Sequence, residues 1–245
     1  MLLQSILTFL TFSLPAYFDW RDTPFLSPLR NQHQLLTNDT LCGSCWAMAA
    51  TSTIADRYNI HKNKNSLSSF LSVQHVLDCN PYQDSCNGGD EMHVYKYALK
   101  YGIPPETCNL YKGQPTACQT CYKCSYNGQC TPVPPPKLIY ITSYHKIPPN
   151  DLTQIKQEIY KRGPITCAIK ATNKLEEFQK GIHKQFHPPP ITLNHVVSVV
   201  GWGPDYLIIR NSWGIAWGIK GFALISTQPN YDLGITQACS YPLLS

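Results

Sequence analysis

Charge is the first thing this 245-residue chain has little of: Asp, Glu, Lys and Arg make up 14% of it, against about 25% in an ordinary globular domain. That scarcity excludes a disordered charged tail, a coiled coil and a charge-driven scaffold. The net charge of +5 is scattered, with no block beyond HKNKN at 61–65. A nucleic-acid binder needs a concentrated basic stripe, so no nucleic-acid partner is expected. Long apolar runs are missing too. Residues 1–14, MLLQSILTFLTFSL, are uncharged and apolar, but far too short to span a bilayer. They read as the apolar part of a secretory leader over 1–13 that lacks its positive start, and no later run reaches membrane-spanning length. There is no internal repeat.

What is abundant is cysteine (11) and proline (20), in a chain that is 43% apolar. That apolar share suits one large folded unit or two sharing a core, and the prolines favour irregular connections over long helices. Eleven cysteines behind a secretory leader predict disulfides rather than metal sites. The odd number leaves one thiol over. Asn38, in Asn38-Asp39-Thr40, is a glycosylation acceptor.

Apolar and small residues recur at helical spacing from Cys45 to Asn59, which predicts a helix; shorter ones are expected over Ser72–Asp78, Glu91–Tyr101 and 151–162. Residues 102–136 hold five cysteines and end in PVPPP, a rigid boundary more than a fold of their own. Beyond it, LIYITSYHKI, ITCAIKA, HVVSVVGWG, YLIIRNSW and GFALIS read as strands. A helical stretch (about 30–136) followed by a β-rich one (about 137–238) is an α+β arrangement.

The chemistry sits in Cys42-Gly43-Ser44-Cys45-Trp46-Ala47, at the opening of the first long helix. A cysteine there lies over unpaired N–H groups and the positive end of the helix dipole, both of which favour a thiolate. Cys45 fits the leftover thiol, with Cys42 taken into a disulfide. Far downstream, His195 opens a predicted strand and Asn211 closes another. A thiolate nucleophile needs an imidazolium that later protonates the leaving amine, and the ring needs a partner that fixes its tautomer.

These motifs, RNQ…CGSCWA, SCNGG, NHVVSVVGWG and RNSWG…WG, resemble those of the papain family of cysteine peptidases. Through LPAYFDWR, RNQH, TSTIADRYNI, LSVQHVLDC and GIPPETCNLY the likeness extends to the cathepsin X branch, over about Leu14 to the C-terminus. The resemblance implies a papain-like fold over 14–245, with two lobes, the termini crossing between them, and a cleft between Cys45 and His195. It implies that Gln32 joins the Cys45 N–H in an oxyanion hole, that Asn211 orients His195, and that Trp213 shields their hydrogen bond. Trp217 is a further cleft candidate, and Gly88 and Gly89 would offer backbone to the substrate. The implied disulfides are Cys42–Cys86, Cys79–Cys118, Cys108–Cys121, Cys124–Cys130 and Cys167–Cys239. An inhibitory pro-segment is also implied, yet the leader-like stretch runs straight into LPAYFDWR. No metal or cofactor is expected. Peptide or protein substrates, cystatin-like inhibitors, a monomeric state, and an acidic vesicle such as the lysosome or secretion follow from the same likeness.

Between Gln32 and Cys42 the chain carries nine residues, His33 to Leu41, where the cathepsin X branch has five that close the primed end of the cleft. A closed cleft admits a chain end, and its carboxylate needs a cation. His33 is the only candidate on the loop, strongest in acid. The expected activity is therefore removal of C-terminal residues. Other readings stand beside it. A displaced loop would leave an endopeptidase, and a silent relative would only bind. Cys42-Gly43-Ser44-Cys45 could be a redox pair, although Trp46 follows rather than precedes it. Cys118, Cys121, Cys124 and Cys130 mimic metal-ligand spacing, and His183 and His187, four apart, could share a metal on a helix. Disulfides and solvated surface histidines are the plainer expectations.

Overall fold

The computed structural model describes residues 13–33, 41–64, 70–82, 84–119, 121–134 and 137–245, except the side chains of Tyr122 and Cys124. The leader-like residues 1–12 and the acceptor Asn38 lie outside them. Helix α1 (Cys45–Lys62) is the central element. Every residue from Trp46 to Arg57 is buried, so the helix has no solvent face in that stretch. Its Ala, Ser and Thr side chains let neighbours approach closely. On one flank pack α2 (Val73–Cys79), capped by the Ser72 hydroxyl, and α3 (Glu91–Lys100), capped by Asp90. Together with Ile103 and Ile141 they form the first apolar core.

The other flank of α1 meets an eight-stranded sheet ordered β4 (Ser143–Ile147), β10 (Cys239–Leu243), β5 (Ile165–Ile169), β7 (His195–Trp202), β8 (Tyr206–Arg210), β9 (Phe222–Ser226), β6 (Ile182–His183), with β1 (Phe18–Asp19) also on β7. All pairs are antiparallel except β6–β9. Strand β7 is buried at every position, because α1 covers one face while the second apolar core, with α4 (Leu152–Arg162), fills the other. A short α5 (Asn173–Glu176) follows β5.

Between the two cores the contact is polar. The carboxylate of Asp56 accepts from Arg210 Nη2 at 2.5 Å and from the N–H and hydroxyl of Ser27 at 2.6 and 2.7 Å. Arg57 pairs with Glu158 at 2.9 Å and donates to the carbonyls of Pro164, Gly163 and Pro242. Thr53, Ser198, Thr166 and Tyr95 continue the network. Removing one partner of a buried pair strands the other charge. Asp56→Ala is therefore expected to destabilise the protein by about 3–5 kcal/mol, read from urea unfolding midpoints; a loss below about 1 kcal/mol would mean that the pair behaves like an exposed one.

Three sequence expectations are corrected. Residues 102–136 are not merely a boundary: β2 (Cys121–Cys124) and β3 (Cys130–Val133) form an antiparallel hairpin. The segment LIYITSYHKI becomes a strand only from Ser143; before it, Ile139 makes an isolated bridge to Ile103. His183 is neither a solvated surface histidine nor on a helix face that could share a metal: it lies in β6, 4% exposed against the Phe178 ring. Strand β10 carried no pattern, since Pro242 interrupts it. Pro242 is tolerated because β10 pairs with β5 only at Cys239 and Ser240, leaving the proline in the stretch bonded to β4 alone. Cys42–Cys86, Cys79–Cys118, Cys108–Cys121 and Cys167–Cys239 are bonded. Cys124 stands opposite Cys130 in the hairpin, but its side chain lies outside those described.

Candidate active site

Cys45 is the first residue of α1 and carries a free thiol. It is placed by the turn before it. Cys42 is tied to Cys86, and the Gly43 N–H donates to the Cys86 carbonyl at 2.7 Å. A Cβ on Gly43 would sit 2.7 Å from that same oxygen, so only glycine allows the approach. The Ser44 hydroxyl does not cap the helix; it meets the Tyr111 hydroxyl at 2.8 Å. The N–H groups of Cys45 and Trp46 are thereby left to face the Cys45 sulfur, together with that of Val196 from β7.

His195 opens β7 opposite Ile169. The preceding Asn194 holds the turn, its side chain accepting from the Ala171 N–H at 2.7 Å and donating to the Ala171 carbonyl at 3.3 Å. Asn211, just after β8, has Oδ1 2.8 Å from His195 Nε2 and accepts the Ser212 N–H at 2.8 Å on the same atom. An atom that accepts an amide N–H is an oxygen, so Nε2 must be the donor in the His195 pair. The tautomer that leaves Nδ1 as the basic nitrogen is thus imposed. Trp213 lies over the imidazole with centroids 4.8 Å apart, and Trp217 meets Trp213 edge-on at 5.2 Å. Trp217 is itself held by bonds from Nε1 to the Leu175 and Glu176 carbonyls.

Gln32 is buried, with its orientation set at both ends. Nε2 donates to the Cys42 carbonyl at 3.1 Å, and Oε1 accepts from the Ser212 hydroxyl at 2.6 Å. Its backbone is fixed by the Ser212 carbonyl and by the Tyr111 hydroxyl, which donates to the Gln32 carbonyl. Ser212 and Tyr111 were not singled out in the sequence. Ser212 lies inside RNSWG and Tyr111 inside GIPPETCNLY, but what each touches depends on residues far away in the chain.

The Cys45 thiol and His195 line a cleft of about 800 Å³ with Gly88, Gly89, Glu91, Ala168 and Leu193. Gly88 has φ +111°, and a Cβ on Gly89 would meet the Trp46 ring at 2.5 Å, so neither position admits a side chain without strain. Gln32, Trp213, Trp217 and His33 do not border this cleft; they gather around the Ser212 side of His195. His33 is half-buried, its N–H donates to Asn31 Oδ1 at 3.0 Å, and among the described residues its Nδ1 has no hydrogen-bond partner. Burial lowers its pKa against an opposing pull from Glu176, and its positive charge would depress that of His195.

Electrostatics revise the expectation of a thiolate held by the helix end. Burial pushes the Cys45 thiol up, and the N–H groups of Val196, Trp46 and Cys45 itself only oppose that shift. Burial also lowers His195 to about 4, against the hydrogen bond with Asn211. Each group alone is driven neutral, so a charged thiolate and imidazolium can exist only as a pair whose mutual attraction outweighs both desolvation costs.

The sequence profile described as papain family cysteine protease matches residues 14–243. Over 243 residues the chain is 37% identical to a cathepsin Z of Onchocerca volvulus, covering 92% of this chain and 76% of that protein. It is 33% identical to cathepsin J of Mus musculus over 241 residues, 94% of this chain and 65% of that one. Among solved structures, a digestive procathepsin L2 proteinase from Tenebrio molitor larval midgut superposes with a TM-score of 0.80 at 27% identity, over 96% of this chain and 70% of that one. A cysteine protease of Carica candamarcensis in complex with E-64 gives 0.77 at 25%, over 95% of this chain and all of that one. Among the described residues no helix is long and apolar enough to cross a membrane.

Proposed function

Because this chain belongs to the papain family of cysteine proteases, we propose that its reaction runs through Cys45, His195, Asn211 and Gln32 in a cleft between a helical and a β-rich lobe, and that it removes residues from the C-terminal end of peptides. The observation that carries the reading is the free Cys45 thiol sharing a cleft with an imidazole whose Nδ1 is left basic by the Asn211 bond. The thiol proton passes to His195 Nδ1, and the sulfur attacks the peptide carbonyl carbon. The oxyanion that forms takes the Cys45 N–H and the second hydrogen of Gln32 Nε2, the first being used on Cys42. Collapse to a thioester expels the amine, which takes the proton from Nδ1. Water then attacks the thioester with Nδ1 as base, restoring thiol and product acid. Trp213 keeps water from the His195–Asn211 bond.

The carboxypeptidase part rests on His33. It stands within electrostatic reach of His195, on the nine-residue stretch between Gln32 and Cys42, of which residues 34–40 lie outside the described part. A protonated His33 would hold the substrate's terminal carboxylate. Burial keeps its pKa below the usual 6.5, so the cation, and the grip, is present in acid and lost as pH rises through that pKa. This suits an acidic vesicle such as a lysosome, or an acidic secreted setting. The expected partners are peptide substrates and cystatin-like inhibitors, met by a monomer. In matched peptides at acid pH, a free C-terminus is expected to give a kcat/KM at least about tenfold above the amide, a difference worth ~1.4 kcal/mol. His33→Ala should abolish the difference by raising KM for the free acid alone. Equal turnover of acid and amide by the unmodified enzyme would instead favour an endopeptidase with a displaced loop.

A further inference from the structure

The cleft beside Cys45 is not uniformly neutral. Its walls are Ala168 of β5, Leu193 and Val196 around the start of β7, and Gln237 just before β10. Against them stands Glu91, the first residue of α3. Glutamate opening a helix is ordinarily a solvated group complementing the helix dipole. This one is half-buried. Its Oε1 accepts only one side-chain hydrogen bond, from the Ser240 hydroxyl at 3.2 Å, and among the described residues no cation forms an ion pair with it. The charge of Glu91 is felt at the Cys45 sulfur, where it raises the thiol pKa. The carboxylate therefore lies within electrostatic range of the bond to be cut.

The geometry points to Glu91 as a specificity-determining residue that makes this recess prefer a cationic substrate side chain, lysine or arginine, over a neutral one of equal length on the acyl side of the scissile bond. The inference rests on the peptidase reading above. The aliphatic stem of such a side chain would lie along Ala168, Leu193 and Val196, and its charged end would meet a carboxylate that, among the described residues, forms no ion pair. The other groups facing Glu91 are few. Asp90 is exposed and adds like charge, Tyr95 is buried with its hydroxyl on Thr166, and Lys146 of β4 lines the same cleft but is exposed and forms no ion pair with Glu91. Burial holds the Glu91 pKa above the usual carboxylate value, with Asp90 adding to the rise and Ser240 and Lys146 opposing it. The preference should therefore weaken as pH falls through that raised value. Pairing Glu91 with a substrate cation also removes a negative charge that disfavours the Cys45 thiolate.

The test uses two pairs of peptidyl fluoromethyl ketones that alkylate the thiol, with lysine or the isosteric norleucine at either of the two residues preceding the reactive carbonyl. In the unmodified enzyme at low ionic strength, the lysyl reagent of one pair is expected to inactivate about tenfold faster than its norleucyl twin. That ratio should approach one in Glu91→Gln. In the unmodified enzyme it should also shrink with added salt and with acid, a readout that does not depend on the variant folding. Ratios within about twofold in both pairs, or a ratio that survives Glu91→Gln, would overturn the assignment. A folded enzyme that reacts with no member of either pair overturns the peptidase reading itself, an outcome distinct from the loss of a preference.

Discussion

Cys45→Ser is expected to lower kcat/KM by on the order of 10⁵–10⁶-fold while leaving the fold intact. The loss is large because the Cys45 thiol is the group that bonds covalently to the substrate carbonyl. Three N–H groups, from Cys45, Trp46 and Val196, are arranged around its sulfur. A serine oxygen in the same place keeps those N–H contacts, but its proton is far harder to remove, so the partly dry site drives it neutral more strongly than it drives the thiol. Folding should survive, since the four bonded pairs Cys42–Cys86, Cys79–Cys118, Cys108–Cys121 and Cys167–Cys239 do not involve Cys45. The checks are steady-state kinetics on the purified variant, its unfolding midpoint, and labelling by an epoxide that reacts only with an activated thiolate, with Cys45→Ala as the control. Failure of the folded native enzyme to label would return the silent-relative reading. Turnover retained by Cys45→Ala within about 100-fold of the native rate would remove the nucleophile from the mechanism.

His195→Ala is the second large effect, expected at 10⁴-fold or more on the scale of about 10²–10⁴ for proton transfer, because the same ring also stabilises the thiolate. It carries a pH signature that a merely structural histidine lacks. With no thiolate beside it, as in Cys45→Ser, burial should leave the His195 imidazole titrating near 4. In the unmodified enzyme the thiolate should hold the proton on the ring to a much higher pH, and NMR of the imidazole resolves the two cases. An identical pKa in both proteins would mean that no ion pair forms. Stability follows the same ring. In Cys45→Ser the folded-state value of about 4 lies below the unfolded value of ~6.5. The unfolded chain therefore binds the extra proton between those pH values, and stability falls as pH drops through that window. The full cost, about 3 kcal/mol, is reached below pH 4 and absent above 6.5. His195→Ala in that background should flatten this part of the profile.

Much of the helical half was legible because its signals are local. The small-residue spacing of α1 and the helix opening at Glu91 each act within a turn or two of the chain. Strands β5, β7, β8 and β9 were readable as β-branched runs. Strand β10 was not, because Cys239 to Leu243 pair only through two strands that lie far back in sequence. The hairpin at 121–133 was obscured by its cysteines and prolines, whose loop chemistry outweighs a short alternation. His183 looked like a surface residue because the apolar ring that covers it, Phe178, does so only once β6 has paired with β9.

The order of residue types along the chain by itself determined which groups could react: a lone thiol in CGSCWA, an imidazole in NHVVSVVGWG and an amide in RNSWG. Each motif is contiguous, so its chemistry can be read without knowing what surrounds it. Only the tertiary structure decided how these groups behave. The carboxamide of Gln32 is turned by Ser212, 180 positions later, the proton of His195 is assigned by Asn211, and Glu91 is left facing the Cys45 cleft with no ion pair among the described residues. Burial and hydrogen-bond direction are set by residues that meet only on folding, and those two quantities govern charge in a cleft that water partly leaves.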